Sequence, residues 1–191
     1  YRTVGLAADL LQAMGMSVAQ LPGGEIVPAM ERGVIDAFEF NNPTSDMRFG
    51  SQDVAKNYML SSYHQASESF EFIFSKRKYE SLPPDLQAIL RYAVEAASTS
   101  NYSLAMHQYS QDLEKLQKEH GVNVIRTPES ILKAQLEAWD KILPPLMKDP
   151  YFKKVVESQK AWTERVVFFD LMNAPDYKLA YQHYFPGKIT F

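Results

Sequence analysis

The stretch that decides the fold is residues 1–46, YRTVGLAADLLQAMGMSVAQLPGGEIVPAMERGVIDAFEFNNPTSD. Segments with strand character alternate in it with short helical patterns. Strands are predicted at residues 1–6, 17–21 and 34–40, and helices at residues 7–14 and 25–32. Alternation over so few residues predicts a parallel sheet with right-handed crossovers, and therefore an α/β fold.

The carboxyl ends of parallel strands meet at one edge of a sheet, and small molecules bind at such edges. Here that edge carries residues 21–24 (LPGG) and 39–43 (EFNNP). Residue 1 already lies within a predicted strand. We therefore expect the 191 residues to belong to a longer protein whose N-terminal part is missing here.

The amino-acid composition excludes several classes of function. Hydrophobic residues make up 46% and aromatic residues 13%, which is enough for a sizeable core or a ligand cleft. The net charge of −3 argues against a nucleic-acid partner, which favours a basic face. The absence of Cys excludes disulfides, thiolate metal sites and a Cys nucleophile.

The remaining chain is mostly helical, so the sequence divides into three parts. Residues 1–75 form the α/β portion with the ligand-binding edge, and residues 76–150 hold a long helix, a short strand and a further helix. Residues 151–191 form C-terminal helices. Further strands are predicted at residues 57–62, 70–75 and 122–126, and a long helix at residues 85–120.

Two charged residues in predicted strands are candidates for a binding site. Arg2 has apolar neighbours, and its planar guanidinium suits a carboxylate. Glu39 interrupts an apolar strand at its carboxyl end and could be an oxygen ligand for a hard cation. The alternative for each is an internal ion pair, including one between the two.

Polar residues beside the same edge extend the candidate site. Asn41 lies in the loop after the third strand, and His64 follows a further predicted strand. The alternative for His64 is a surface or core position. His107, His120 and His183 show no zinc spacing, and no hydrolase motif is present.

The C-terminal third is rich in aromatic residues, and residues 166–169 (VVFF) are apolar all round a predicted helix. A helix with one exposed side cannot bury such a run. This favours either ordinary core packing or a dimer contact, since aromatic residues are enriched at interfaces.

Four stretches together resemble one family. The chain is similar to the C-terminal part of the periplasmic solute-binding proteins of TRAP transporters (the DctP family), and most similar to the TakP type that binds 2-oxo acids. The resemblance rests on residues 1–7 (YRTVGLA), 21–30 (LPGGEIVPAM), 36–43 (DAFEFNNP) and 70–82 (FEFIFSKRKYESL).

The resemblance implies a two-lobed, periplasmic-binding-protein-like fold with a parallel-rich sheet and a long helix across both lobes. It implies Arg2 as the clamp on the substrate carboxylate, and the side chain of Glu39 with the carbonyl of Phe40 as cation ligands. The family's cation site also uses a Gln upstream of the Arg strand, which this sequence does not contain.

The implied function is transport without catalysis. A periplasmic subunit would capture a pyruvate-like 2-oxo monocarboxylate together with Na+, or with Ca2+, without an organic cofactor, and deliver it to TRAP permease subunits. The C-terminal helices would form a homodimer. The alternatives are a hydroxy-acid or C4-dicarboxylate binder, a non-binding dimerisation fragment, and a metal-assisted enzyme using Glu39 and His64.

Overall fold

The computed structural model describes residues 1–67 and 69–189, which are mostly helical with short parallel strands. The strands are β1 (Asn57–Leu60) and β2 (Asn123–Arg126). The helices are α1 (Leu6–Ala13), α2 (Ile26–Glu31), α3 (Pro43–Phe49), α4 (Ser51–Val54), α5 (Lys76–Glu80), α6 (Pro84–Lys118), α7 (Glu129–Leu146), α8 (Pro150–Asn173) and α9 (Tyr177–Tyr184).

Strand pairing is parallel, which confirms the predicted α/β class. Arg2 bridges Ala19 on one side and Phe38 on the other. The Arg2 amide donates to the Ala37 carbonyl at 2.8 Å, and the Glu39 amide donates to the Arg2 carbonyl at 3.0 Å. β1 and β2 pair in parallel as well, with Asn57 opposite Asn123.

The strands are shorter than predicted, because some residues of the predicted strands form turns or helix ends instead. Gly5 has a φ of +61°, and α1 begins at the next residue, inside the predicted strand 1–6. Gly33 has a φ of +67°, and the Val34 amide donates to the Ala29 carbonyl at 2.9 Å, which closes the end of α2. Val34 therefore cannot donate to a ladder.

The prediction of a strand at residues 70–75 is wrong: this segment forms neither strand nor helix in the structure. Phe70 is 64% exposed and Ile73 85% exposed. Alternating side chains give a segment two faces, but a strand also needs a neighbour for its amides and carbonyls. No other segment of residues 1–67 and 69–189 supplies that neighbour.

The chain forms two compact units, Tyr1–Ile142 and Leu143–Phe191. The core of the first contains Ile26, Ala29 and Ile35, with aromatic side chains packed against them. The 35-residue helix α6 belongs to this unit and runs through residues 98–100 without a break. At 1.5 Å per residue it is ~50 Å long, as the sequence predicts.

The second unit contains α8 and α9, which are capped by aspartates. Asp149 accepts from the Phe152 amide at 2.7 Å, and Asp176 accepts from the Leu179 amide at 3.0 Å. Neither helix has a buried residue among those described, and Phe168 is 67% exposed. Across the described ranges, we find no helix that combines the length and apolar character of a membrane span.

Candidate functional site

A cavity of about 1450 Å³ opens at the sheet edge of the first unit. The loop that follows Phe38 and strand β1 line it, and α6 contributes one wall. Four predicted site residues are among those that line it: Glu39, Phe40, Asn41 and His64. The fifth, Arg2, is not among the described lining residues, but it contacts the lining residue Glu39.

Arg2 is 5% exposed and its guanidinium is held at several points. Nε donates to the Leu21 carbonyl at 2.9 Å, and Nη1 donates to the Glu39 carbonyl at 2.9 Å. Nη1 also lies 3.2 Å from Oε1 of Glu39, so the internal ion pair considered from the sequence does form. Nη2 makes no hydrogen bond to a residue that the structure describes.

Glu39 connects this ion pair to the cavity. Its side chain is 14% exposed, and Oε1 also accepts from the Thr3 hydroxyl at 3.2 Å. The carboxylate influences Tyr1, another lining residue: burial, and then the charge of Glu39, raises the pKa of Tyr1 to about 12. The Tyr1 hydroxyl therefore keeps its proton at neutral pH and can donate a hydrogen bond.

The backbone at Phe40 is fixed by its ring. The Phe40 ring stacks on Phe49, with centroids 4.8 Å apart and planes 14° apart. Its other side faces Gly23, where a Cβ atom would lie 2.9 Å from Cε2 of Phe40. The turn at Gly23 and Gly24 therefore leaves room for the ring of Phe40.

The Asn41 loop is fixed by the start of α3. Asn42 caps this helix by accepting from the Ser45 amide at 3.0 Å. Asp46 accepts from the Asn41 amide at 3.1 Å and from the Tyr58 hydroxyl at 2.8 Å, which joins the loop to β1. Burial raises the pKa of Asp46, although these hydrogen bonds oppose the increase. It also raises the pKa of Tyr58.

A buried carboxylate ties α3 to α6. Asp112, which is 2% exposed, accepts from the Thr44 hydroxyl at 2.7 Å and from Gln108 Nε2 at 2.9 Å. Lys115 lies 3.0 Å away on the exposed side. The donors, Gln108 first, lower the pKa of Asp112 to about 2, so this carboxyl is ionised at neutral pH.

His64 is held by a chain of hydrogen bonds that leads to α7. Its Nδ1 pairs with the Ser62 hydroxyl, and Ser62 Oγ accepts from Gln135 Nε2 at 2.7 Å. Gln135 is 3% exposed, and its Oε1 accepts from the Tyr63 amide at 2.8 Å. Burial lowers the pKa of His64, which keeps the ring neutral at neutral pH.

Sequence reasoning missed several residues of this region. Tyr1, Asp46 and Tyr58 line the cavity, and Gln135 fixes His64. An acidic residue beside a predicted helix cap was the one available signal for Asp46. In the described ranges, three or more His, Asp or Glu side chains do not come together as a metal site.

Comparison with known proteins identifies relatives over most of the chain. Residues 2–154 match the family model DctP, bacterial extracellular solute-binding protein, family 7. A monocarboxylate 2-oxoacid-binding periplasmic protein of Nostoc sp. is 26% identical over 178 residues, which cover 93% of this chain and 49% of the relative.

Two solved structures share the fold. A TRAP periplasmic solute-binding protein from Colwellia psychrerythraea, with bound calcium and pyruvate, matches with a TM-score of 0.81 and 30% identity. One from Pseudoalteromonas atlantica, with bound sodium and pyruvate, matches with a TM-score of 0.80 and 30% identity. Each match covers 96% of this chain and 55% of the other, so the chain spans about half the length of these relatives.

Proposed function

Because the chain belongs to the bacterial extracellular solute-binding proteins of family 7, we propose that the whole protein captures a 2-oxo monocarboxylate such as pyruvate in the periplasm. It then delivers this acid to the membrane permease subunits of a TRAP transporter. The protein performs no reaction on its cargo. The Nostoc relative binds 2-oxo acids, and the Colwellia and Pseudoalteromonas relatives hold pyruvate, which supports the cargo class.

The observation that carries the proposal is the contact of Arg2 with Glu39, which lines the cavity. A pyruvate-like acid presents a carboxylate with a keto oxygen next to it. Nε and Nη1 of Arg2 are used inside the protein, which leaves Nη2 as the donor for the cargo carboxylate. A guanidinium fixed at two nitrogens is preorganised for such an anion.

A bound cation fits the remaining groups. The Glu39 carboxylate and the Phe40 carbonyl oxygen would hold it, and both residues line the cavity. When bound, it supplies positive charge for the keto oxygen and one carboxylate oxygen of the cargo. One protein carboxylate with neutral oxygens suits Na+, whereas Ca2+ usually takes more charge. The relatives hold one ion or the other, so both are candidates.

A C4-dicarboxylate fits this cavity less well, because its second charge needs a second basic group. Lys56 is the one Lys or Arg among the described residues that line the cavity. Its amine already donates to the His120 carbonyl at 3.3 Å. A hydroxy acid keeps the carboxylate and a neighbouring oxygen, and is the closer competitor.

Calorimetry on the intact protein tests the proposal. Pyruvate, 2-oxobutyrate, lactate, acetate and succinate are titrated in Na+, in Ca2+ and after chelation. We expect pyruvate and 2-oxobutyrate to bind tightest, and binding to weaken when the cation is removed. Equal affinity for acetate and pyruvate would contradict the chelation by the keto oxygen. Preferred binding of succinate would overturn the cargo class.

We also propose a homodimer through residues 151–191. Support comes from the large apolar side chains exposed on α8 and α9, including Phe168, Phe169, Leu171 and Tyr184. Sedimentation of the intact protein should give twice the monomer mass. Phe168→Asp with Phe169→Asp should give the monomer, and a Lys153→Asp control on the same helix should remain dimeric.

A further inference from the structure

The hydrogen bonds around His64 determine which of its ring nitrogens carries the proton. The backbone amide of Tyr63 can only donate a hydrogen bond. It donates to the Gln135 side chain at 2.8 Å, so the atom facing it is the oxygen Oε1. The Gln135 nitrogen Nε2 must then face Ser62, where it lies 2.7 Å from Oγ.

Ser62 Oγ therefore accepts a hydrogen bond from Gln135 Nε2. Its Oγ also lies 3.4 Å from the His64 amide, a second donor. A hydroxyl has two acceptor lone pairs and one hydrogen. With both lone pairs used, the Ser62 hydrogen is the group that points to Nδ1 of His64. Nδ1 therefore accepts, and it carries no hydrogen.

A neutral imidazole with an unprotonated Nδ1 has its proton on Nε2. We propose that Gln135 and Ser62 hold His64 as this tautomer, so that His64 offers the cavity a neutral N–H donor for an oxygen of the bound acid. His64 lines the cavity, and its Nε2 makes no hydrogen bond to a described residue. The identity of the ligand rests on the proposed function; the tautomer does not.

A neutral donor adds orientation without adding charge. Arg2 already offers one positive charge beside the lining residue Glu39, and a cation would supply another. A second cationic side chain would favour dicarboxylates, whereas a neutral N–H favours a monoanion with a further oxygen acceptor. Ser62 and Gln135 are thus positioning residues for specificity.

The test is nitrogen-15 NMR of the imidazole in the intact protein at neutral pH, with and without pyruvate and Na+. In the wild type we expect Nδ1 to resonate as the unprotonated nitrogen and Nε2 as the N–H nitrogen. Pyruvate should shift the Nε2 signal. His64→Phe should weaken pyruvate binding about tenfold, the size of one net hydrogen bond.

Gln135→Glu provides a reversal that a merely structural role would not produce. A carboxylate at 135 can only accept, so Ser62 turns its hydrogen toward it and presents a lone pair to Nδ1. The proton of His64 should then move to Nδ1. Gln117→Glu, an exposed change of the same charge on α6, should leave the spectrum unchanged.

The outcomes separate the two proposals. An Nδ1–H tautomer in the wild type overturns this inference whether or not pyruvate binds. An unchanged tautomer in Gln135→Glu overturns the positioning role of Gln135, and an unmoved Nε2 signal in the pyruvate complex overturns the donor role of His64. Absence of pyruvate binding alongside the expected tautomer overturns the proposed function and leaves the tautomer confirmed.

Discussion

Nη1 of Arg2 donates to the backbone carbonyl and to the side-chain carboxylate of Glu39, at 2.9 and 3.2 Å. One nitrogen of Arg2 therefore fixes both the backbone and the side chain of Glu39. The contact joins the proposed anion clamp to the proposed cation ligand. The proposed cation would bind the same carboxylate that forms the ion pair, so removal of Arg2 should change cation binding, and removal of the cation should change the Arg2–Glu39 contact.

Replacing Arg2 should lower both stability and binding. Arg2→Ala leaves the Leu21 carbonyl and the Glu39 carboxylate without this donor, and breaking a buried charge pair costs about 3–5 kcal/mol. Urea unfolding measures the loss, and calorimetry with pyruvate measures the affinity. Arg32→Ala, an exposed change, should affect neither. Full pyruvate affinity in a folded Arg2→Ala protein would remove Arg2 from the site.

Replacing Glu39 should separate cation dependence from cargo binding. Glu39→Gln keeps the shape but removes the charge, so we expect pyruvate binding to weaken and to lose its response to Na+ or Ca2+. Titrations at several cation concentrations measure this. Glu25→Gln is the control, because it removes the same charge at an exposed position. A retained cation response in Glu39→Gln would exclude Glu39 as a ligand.

The room at Gly23 can be tested with its neighbour as the control. A Cβ atom at Gly23 would lie 2.9 Å from the Phe40 ring, whereas one at Gly24 would meet nothing within 4 Å. The ring cannot yield freely, since it stacks on Phe49. Gly23→Ala should therefore cost about 1–3 kcal/mol of unfolding free energy. Pyruvate affinity should fall with it through the displaced Phe40 carbonyl, and Gly24→Ala should leave that affinity unchanged.

Low pH should weaken the interaction between α3 and α6 that Thr44 and Asp112 form. Asp112 has a pKa of about 2 against an ordinary 3.8, so its ionised form stabilises the folded state above pH 3.8. That contribution is lost as the pH falls through about 2. Asp112→Asn should be less stable by about 1–3 kcal/mol at neutral pH, through weaker hydrogen bonds.

The difference between Asp112→Asn and the wild type should narrow as unfolding is measured at successively lower pH. Burial raises the pKa of Asp46, so Asp46 acts in the opposite sense, and its contribution falls as the pH rises above 3.8. Because both proteins contain Asp46, the comparison isolates Asp112. A difference that stays constant down to about pH 2 would contradict the lowered pKa.

Local patterns predicted those parts of the fold that local interactions determine. Strand-like segments that alternate with short helical patterns in residues 1–46 predicted the parallel pairing around Arg2, and the apolar run interrupted by Glu39 marked the sheet edge. The prediction of a strand at residues 70–75 failed, because alternation of side chains along a segment does not reveal whether a neighbouring strand exists.

Local sequence patterns could not predict contacts between residues that are far apart in the chain. Gln135 reaches Ser62 across 73 positions, and Asp112 reaches Thr44 across 68. Nothing in the local sequence of a helix shows which of its polar residues will be buried. The sequence allows an ion pair between Arg2 and Glu39 but also separate partners for each, and the structure shows that the ion pair forms.

The bond from Thr44 to Asp112 also bears on the order in which the chain is assembled. Its partners stand 68 positions apart, so the chain must first close a long loop, which costs entropy that local turns do not. We therefore expect α1, α2 and much of α6 to form early, and the loop that would hold the cargo to settle late. A nascent chain would then have most of its secondary structure before it could retain a ligand.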